Sequence, residues 1–181
     1  MARPHGTHKG PLTYTTPLLV VEWAHIDLET SIMTQIIYQT THHQFNSSEQ
    51  CDLLVVGAHP DDIEIGVGGI VLNSVAQGKK VILVDCTASE KSTRGTTHTR
   101  LLETQKASAL LGVNARYCLD LPDTALYDNH EARARLTQLI KTLKPTIVLA
   151  PWRNDDHPDH CSASVITKNA VFLARCNHSQ A

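Results

Sequence analysis

Four apolar runs alternate with helical segments from residue 51 onwards, and this alternation constrains the fold more than any other feature of the chain. The runs are "CDLLVVGA", "VILVDCT", "ARYCLDL" and "TIVLAP", at residues 51–58, 81–87, 115–121 and 146–151. Continuous apolar runs of this length are typical of strands that are buried on both faces of a parallel sheet. A segment with helical spacing follows each run, at residues 66–80, 97–113, 131–144 and 161–176. The sequence therefore predicts an α/β fold, an open parallel sheet with helices on both faces.

The first fifty residues show none of this alternation: a polar, turn-rich start and a polar linker flank one segment that could form a short amphipathic helix, "DLETSIMTQIIYQ". We predict a poorly ordered N-terminal extension at residues 1–50 and one domain at residues 51–181. A chain of 181 residues is long enough for one domain with a hydrophobic core, and is too short for two domains of ordinary size.

The composition excludes several classes of function. Sixteen basic and eighteen acidic residues leave the chain nearly neutral, without the basic stripe that binds nucleic acid or an anionic membrane. The five cysteines are scattered without a C-x-x-C pair, a pattern typical of the reducing cytosol. The apolar stretch "PLLVVEWA" near the N-terminus is too short to cross a bilayer and lacks the features of a signal peptide. We therefore expect a cytoplasmic protein with no nucleic-acid or membrane partner, and the composition leaves a homo-oligomer open.

Two polar clusters stand directly after predicted strands, "HPDD" after the first and "DDHPDH" after the fourth. In open α/β sheets, ligands bind in the crevice beyond the carboxyl ends of the strands. The fold is therefore expected to bring six side chains to one edge of the sheet: His59, Asp61, Asp62, His157, Asp159 and His160.

These residue types suit a catalytic metal ion. Histidine and carboxylate ligands favour zinc or a similar divalent ion, and catalytic sites use three protein ligands with one position open. His59, Asp62 and His160 can form such a set. Asp61 can then act as a general base for water, and His157 can donate a proton or stabilise an oxyanion. Asp159 can orient one of the histidines from behind.

Structural interpretations of the same residues compete with this one. Asp61 or Asp62 could cap the helix that follows, since aspartate is a preferred N-cap residue. The "GVGG" at residues 66–69 invites a nucleotide-binding Rossmann module, but it lacks the G-x-G-x-x-G spacing and follows an acidic cluster that phosphates would avoid. The default role for His98, Arg94 and Arg100 is a solvated surface position.

The motifs "AHPDDIEIG" and "HPDH" resemble those of the zinc-dependent N-acetylglucosaminyl deacetylases of the LmbE/PIG-L family. Two further segments, "DCTASEKSTRGTTHTRLLE" and "LDLPDTALYD", are similar to the branch that deacetylates N-acetylglucosaminyl-malate in bacillithiol biosynthesis. The resemblance covers about residues 51–175. It implies a Rossmann-like, LmbE-like fold and the removal of an N-acetyl group from a small N-acetylglucosaminide.

The resemblance also implies roles for individual residues. A Zn²⁺ ion, or alternatively Fe²⁺, would be held by His59, Asp62 and His160, with Asp61 as the base. His157 would polarise the developing oxyanion or act as an acid, and Arg100 would contact the substrate.

Domains of this family continue beyond the helix that follows "HPDH", whereas this chain stops at "NHSQA". We therefore expect the C-terminal part of the family domain to be missing. The alternative to an active enzyme is a truncated, non-catalytic remnant that binds zinc or sugar.

Overall fold

The computed structural model describes residues 51–176 and two further short strands at residues 19–22 and 38–40. The elements in chain order are β1 (Leu19–Glu22), β2 (Tyr38–Thr40), β3 (Leu53–Gly57), α1 (Asp62–Ala76), β4 (Val81–Thr87), α2 (Thr97–Leu111), β5 (Ala115–Leu121), α3 (His130–Leu143), β6 (Ile147–Ala150) and α4 (Pro158–Arg175).

The strands form one parallel sheet in the order β1-β6-β3-β4-β5-β2. Its centre consists of the four strands that the apolar runs predict, so the alternating α/β architecture is confirmed. From β3 the chain moves outwards through β4 to β5, and it then crosses back to place β6 on the other side of β3. The direction of winding reverses between β3 and β6, and this is where ligands bind in open α/β sheets.

Both faces of the sheet are covered by helices, as predicted. The side chains of Leu54 and Val56 point to the face covered by α3 and α4. Those of Leu53 and Val55 point to the opposite face, where they pack with α1 and α2. Successive residues of a strand point to opposite faces, so a strand covered twice must be apolar throughout. The continuous run in β3 follows from this requirement.

The C-terminal ends of the helices lie closer to their predicted positions than the N-terminal ends do. Helix α2 is capped at its C-terminal end by Gly112, whose φ of 69° lies in the left-handed region that favours glycine. Helices α1 and α4 begin earlier than predicted, at Asp62 instead of residue 66 and at Pro158 instead of residue 161. Proline is preorganised for the first position of a helix. The earlier starts place parts of both polar clusters in first helical turns.

The extension predicted at residues 1–50 lies outside the described residues apart from β1 and β2, and the domain boundary at residue 51 stays a prediction. Among the helices that the structure describes, none combines the length and the apolar character that crossing a bilayer requires.

Candidate metal centre

The two polar clusters meet at the carboxyl edge of β3 and β6. The ring centroids of His59 and His157 are 4.9 Å apart, those of His157 and His160 are 4.6 Å apart, and those of His59 and His160 are 5.5 Å apart. His59 follows β3, whereas His157 and His160 stand at the start of α4 after β6. The fold therefore brings His59 together with two histidines that lie about a hundred residues further along the chain.

Asp62 lies between two of these histidines. Its Oδ1 atom is 3.2 Å from His160 Nε2, and its Oδ2 atom is 3.5 Å from His59 Nδ1. Oδ2 also accepts hydrogen bonds from the backbone amides of Ala58, at 3.0 Å, and His59, at 2.8 Å. Burial would raise the pKa of Asp62, but hydrogen bonds from both histidines and the His59 amide hold it well below its usual range. Asp62 is therefore an ionised carboxylate facing two imidazoles.

The far side of each of these imidazoles contacts another carboxylate. His59 Nε2 is 3.1 Å from Asp159 Oδ2 and 3.2 Å from Asp123 Oδ1. His160 Nδ1 is 3.2 Å from Asp155 Oδ2. A histidine that ligates a metal usually donates its other ring N–H to a carboxylate in this way. Each ring thus has one nitrogen fixed by a carboxylate and the other directed at Asp62.

This donor set fits a divalent metal ion. Imidazole nitrogen and carboxylate oxygen are the ligands of zinc sites and of related ferrous sites. Among the described residues, two trios place one ligand atom from each residue within 4.8 Å of one another, and neither is the predicted set. They are His59 with His157 and His160, and His59 with Asp123 and Asp159. The set of His59, Asp62 and His160 therefore stays a prediction with two structural competitors.

His157 carries a hydrogen-bond donor on the side away from its own helix. Its Nδ1 atom accepts a hydrogen bond from the backbone amide of Asp159 at 3.2 Å. A neutral imidazole that accepts at Nδ1 carries its proton at Nε2. This tautomer suits the predicted role of His157 as a donor to an oxyanion.

The side chain of Asp61 does not cap helix α1, which is the structural role that the sequence left open for it. Asp61 occupies the N-cap position of α1, yet its side chain makes no capping hydrogen bond and its φ is 117°. The Asp62 side chain binds amides of the preceding loop instead of helix amides. Backbone strain of this kind at a non-glycine residue is common at functional sites. The cap interpretation is therefore wrong for both residues.

Arg100 lies beside Asp61. Its Nη1 atom donates to Asp61 Oδ2 at 2.9 Å, and its Nη2 atom donates to Ser92 Oγ at 3.1 Å. Asp61, Arg100, Glu64 and Glu103 line a pocket of about 100 Å³ between α1 and α2. Within residues 51–176, the Nε atom of Arg100 is buried without a hydrogen-bond partner. The arginine predicted to contact substrate thus borders a pocket next to the predicted base.

Sequence reasoning missed Asp123 and Asp155. Asp123 follows β5 in the loop "LPDT" and is 4% exposed, and its Oδ2 atom also accepts from the Lys91 amide at 3.0 Å. Asp123 could have been predicted from the sequence. It is a carboxylate just after a predicted buried strand, as Asp61 and Asp62 are, and ligands bind beyond the carboxyl ends of such strands.

The glycine-rich segment that invited a nucleotide-binding interpretation does not form a phosphate-binding loop. The "GVGG" segment at residues 66–69 lies inside α1, not in a loop before it, so its amides serve the helix and do not form a phosphate cradle. His98 and Arg94 are exposed.

The electrostatics of the site predict how the metal-free protein responds to pH. Burial would lower the pKa of His59, but Asp62, Asp159 and Asp123 together raise it to about 9. Since the unfolded value is about 6.5, this stabilisation is present below pH ~6.5 and is lost as the pH rises through ~9. We expect the free energy of unfolding to fall by on the order of 2–3 kcal/mol over this window.

The measurement is urea unfolding of chelator-treated protein at both ends of the window, with His59→Gln as the control that should show a flatter profile. The raised pKa of His160, caused first by its hydrogen bond with Asp62, acts in the same direction. Equal stability at both pH values would contradict the assigned contacts.

Comparison with known proteins gives consistent similarities. A family model described as PIG-L, GlcNAc-PI de-N-acetylase, matches residues 54–171. A diacetylchitobiose deacetylase of Thermococcus kodakarensis is 33% identical over 132 residues, with 67% of this chain and 49% of that protein covered. A 1D-myo-inositol 2-acetamido-2-deoxy-alpha-D-glucopyranoside deacetylase of Acidothermus cellulolyticus is 30% identical over 157 residues, with 68% and 54% covered.

Among solved structures, the conserved protein TT1542 of Thermus thermophilus is similar with a TM-score of 0.69 and 40% identity, with 72% of this chain and 59% of that chain covered. The chain spans about half the length of the curated relatives it matches.

Proposed function

The chain belongs to the PIG-L family of GlcNAc-PI de-N-acetylases, and from this premise we propose that it is a metal-dependent amide hydrolase. The proposed reaction removes the acetyl group from a small molecule that contains N-acetylglucosamine. The observation that carries the proposal is the Asp62 carboxylate between His59 and His160, with a further carboxylate behind each imidazole.

His59, Asp62 and His160 are the residues proposed to hold the ion. When bound, a divalent ion of this kind supplies Lewis-acid polarisation of a carbonyl and lowers the pKa of water. Asp159 and Asp123 fix the His59 ring, and Asp155 fixes that of His160. The ligand nitrogens are thus oriented by the protein before the ion arrives.

Two further side chains are proposed to handle protons and charge. Asp61, which is 46% exposed on its side chain, takes a proton from the water that attacks the acetyl carbonyl carbon. His157 donates a hydrogen bond from Nε2 to the carbonyl oxygen as negative charge develops there. When the C–N bond breaks, Asp61 returns its proton to the amine nitrogen. The products are acetate and a free amine.

Arg100 is proposed to bind the sugar. In the absence of substrate its guanidinium contacts Asp61 at 2.9 Å, and its donors border the pocket next to the reacting groups. A sugar hydroxyl that accepts from Arg100 would orient the acetamide towards Asp61.

The two named relatives support the proposal of an N-acetylglucosamine unit in the substrate. One is a diacetylchitobiose deacetylase, and the other is a deacetylase of a myo-inositol glycoside. The finer suggestion of N-acetylglucosaminyl-malate is supported by the similarity of two sequence segments alone. The aglycone is therefore left to experiment.

The test is a panel of diacetylchitobiose, the inositol glycoside and the malate glycoside, incubated with Zn²⁺-loaded or, anaerobically, Fe²⁺-loaded protein. We expect at least one to yield acetate and free amine in equal amounts. A chelator should abolish the release, and added metal should restore it. Bound metal without acetate release from any of the three would contradict the proposal and favour the non-catalytic metal-binding alternative.

A further inference from the structure

A fully buried arginine binds two carboxylates that lie on the elements next to the candidate metal centre. Arg116, on β5, has no solvent exposure. Its Nε atom donates to Asp85 Oδ2 at 2.7 Å, and its Nη2 atom donates to Asp85 Oδ1 at 2.8 Å. Its Nη1 and Nη2 atoms also donate to the two carboxylate oxygens of Glu64. One guanidinium thus binds two carboxylates in the two-pronged geometry that is specific to arginine.

The partners of Arg116 belong to the elements that carry the metal centre. Asp85 pairs in register with Gly57, the last residue of β3. Glu64 stands in the first turn of α1, two residues after Asp62. The network therefore joins β4, β5 and the start of α1 at the point where the chain leaves the sheet to form the site.

The start of α1 packs tightly on the end of β3. A Cβ atom at Gly57 would lie 3.0 Å from Ile63 Cγ1 and 3.3 Å from Asp62 Cβ. Such close packing means that a small shift of the first turn of α1 also shifts the Asp62 carboxylate. The turn needs an anchor from the side of α1 and α2, and Glu64 is the residue through which Arg116 can supply it.

Arg116 keeps its charge in this setting. Burial would lower its pKa, but the charges and hydrogen bonds of Asp85 and Glu64 raise it above its ordinary value. Burying an ion pair costs desolvation free energy, and apolar residues in the same place would avoid this cost. Its bond to Glu64, in the same helical turn as Asp62, indicates that it provides orientation and not stability alone.

We propose that Arg116 is a positioning residue: through Glu64 it fixes the first turn of α1, and with it the Asp62 carboxylate, in the orientation that binds the metal ion. The inference rests on the proposed metal-dependent function of the same site. It adds a residue that touches neither the ion nor the substrate.

Arg116→Lys separates orientation from charge. Lysine keeps the positive charge but cannot bind two carboxylates in two-pronged fashion. If Arg116 acts by orientation, the Zn²⁺ dissociation constant should rise by about tenfold, the lower end of the usual effect of supporting residues. KM should stay nearly unchanged while kcat falls. If Arg116 acts by charge alone, Zn²⁺ affinity should not change, and that result would overturn the proposal.

Arg133→Lys is the matched control. Arg133, on α3 on the opposite face of the sheet, also forms a two-pronged ion pair, with Asp128. The same substitution there should leave the Zn²⁺ dissociation constant unaltered. An equal loss of affinity in both variants would show a general structural effect and would also overturn the proposal.

Glu64→Asp decides the question if Arg116→Lys does not fold. The Glu64 side chain is 23% exposed, so a shorter side chain is tolerated more easily there. Aspartate keeps the negative charge, so the through-space effect on Zn²⁺, which salt screens only weakly for partly buried groups, stays the same while the carboxylate is withdrawn from Arg116 by one methylene. Weaker Zn²⁺ binding supports the anchor, and an affinity equal to that of the unaltered protein contradicts it.

The Zn²⁺ titration keeps this proposal distinguishable from the proposed function. If the unaltered protein binds Zn²⁺ but releases no acetate from any substrate, the hydrolase proposal fails. The comparison of metal affinities among the variants would still test the role of Arg116.

Discussion

Replacing Asp61 with asparagine is expected to lower kcat by about 10²- to 10⁴-fold, the usual contribution of a general base, while the metal content stays unchanged. The asparagine amide cannot take a proton from water, and the Asp61 carboxylate faces Arg100 instead of the histidines. The loss should therefore fall on turnover and not on metal binding. Steady-state kinetics together with elemental analysis of the purified variant measure both quantities.

Asparagine is the right substitute because of the backbone. The φ of 117° at Asp61 is costly for most side chains, and asparagine tolerates the left-handed side of the map better than alanine does. Arg100→Lys controls for the lost ion pair, and it should raise KM more than it lowers kcat. A folded Asp61→Asn protein that has lost its metal would show that Asp61 and Asp62 have been assigned the wrong way round.

The strands were predictable from the sequence for a physical reason. A strand covered on both faces is apolar at most of its positions, and the runs "VILVDCT" and "ARYCLDL" have the same bounds as β4 and β5. The starts of α1 and α4 were missed because "HPDD" and "HPDH" were interpreted as loop ligands, although Pro158 is a typical first residue of a helix.

The structure brings the two predicted polar clusters together at one edge of the sheet, and it adds contacts with carboxylates that the sequence analysis did not name. The rule about strand ends placed the two polar clusters at one edge, but only the crossover that seats β6 beside β3 makes them neighbours. The sequence does not give this strand order. Contacts such as Asp123 with His59 depend on it.

The Arg116 network was missed although the sequence held a clue. Asp85 and Arg116 are charged residues inside runs predicted to be buried on both faces. A buried charge needs a partner of opposite sign, so one such residue in each of two consecutive strands predicts an ion pair between them. The additional contact with Glu64 follows from how α1 lies across the sheet, which no local pattern specifies.

Replacing His160 with alanine is expected to remove the metal, with the Zn²⁺ dissociation constant rising by about a hundredfold or more. Structural zinc sites, which have four protein ligands, bind Zn²⁺ with a free energy of about 10–16 kcal/mol. Each ligand thus accounts for roughly 3 kcal/mol, and each 1.4 kcal/mol changes the dissociation constant tenfold. The measurement is competition for Zn²⁺ against a chromophoric chelator.

His157→Gln completes this test, because two further trios share His59 with the predicted set. His160 belongs to the predicted set and to the set with His157, but not to the set with Asp123 and Asp159. Retention of metal by His160→Ala would therefore favour the third trio. Loss of metal in His157→Gln would favour the second. Only loss in the first variant with retention in the second assigns the ion to His59, Asp62 and His160. This is the pair of results we expect, because Asp62 lies between two imidazoles that other carboxylates already hold in place.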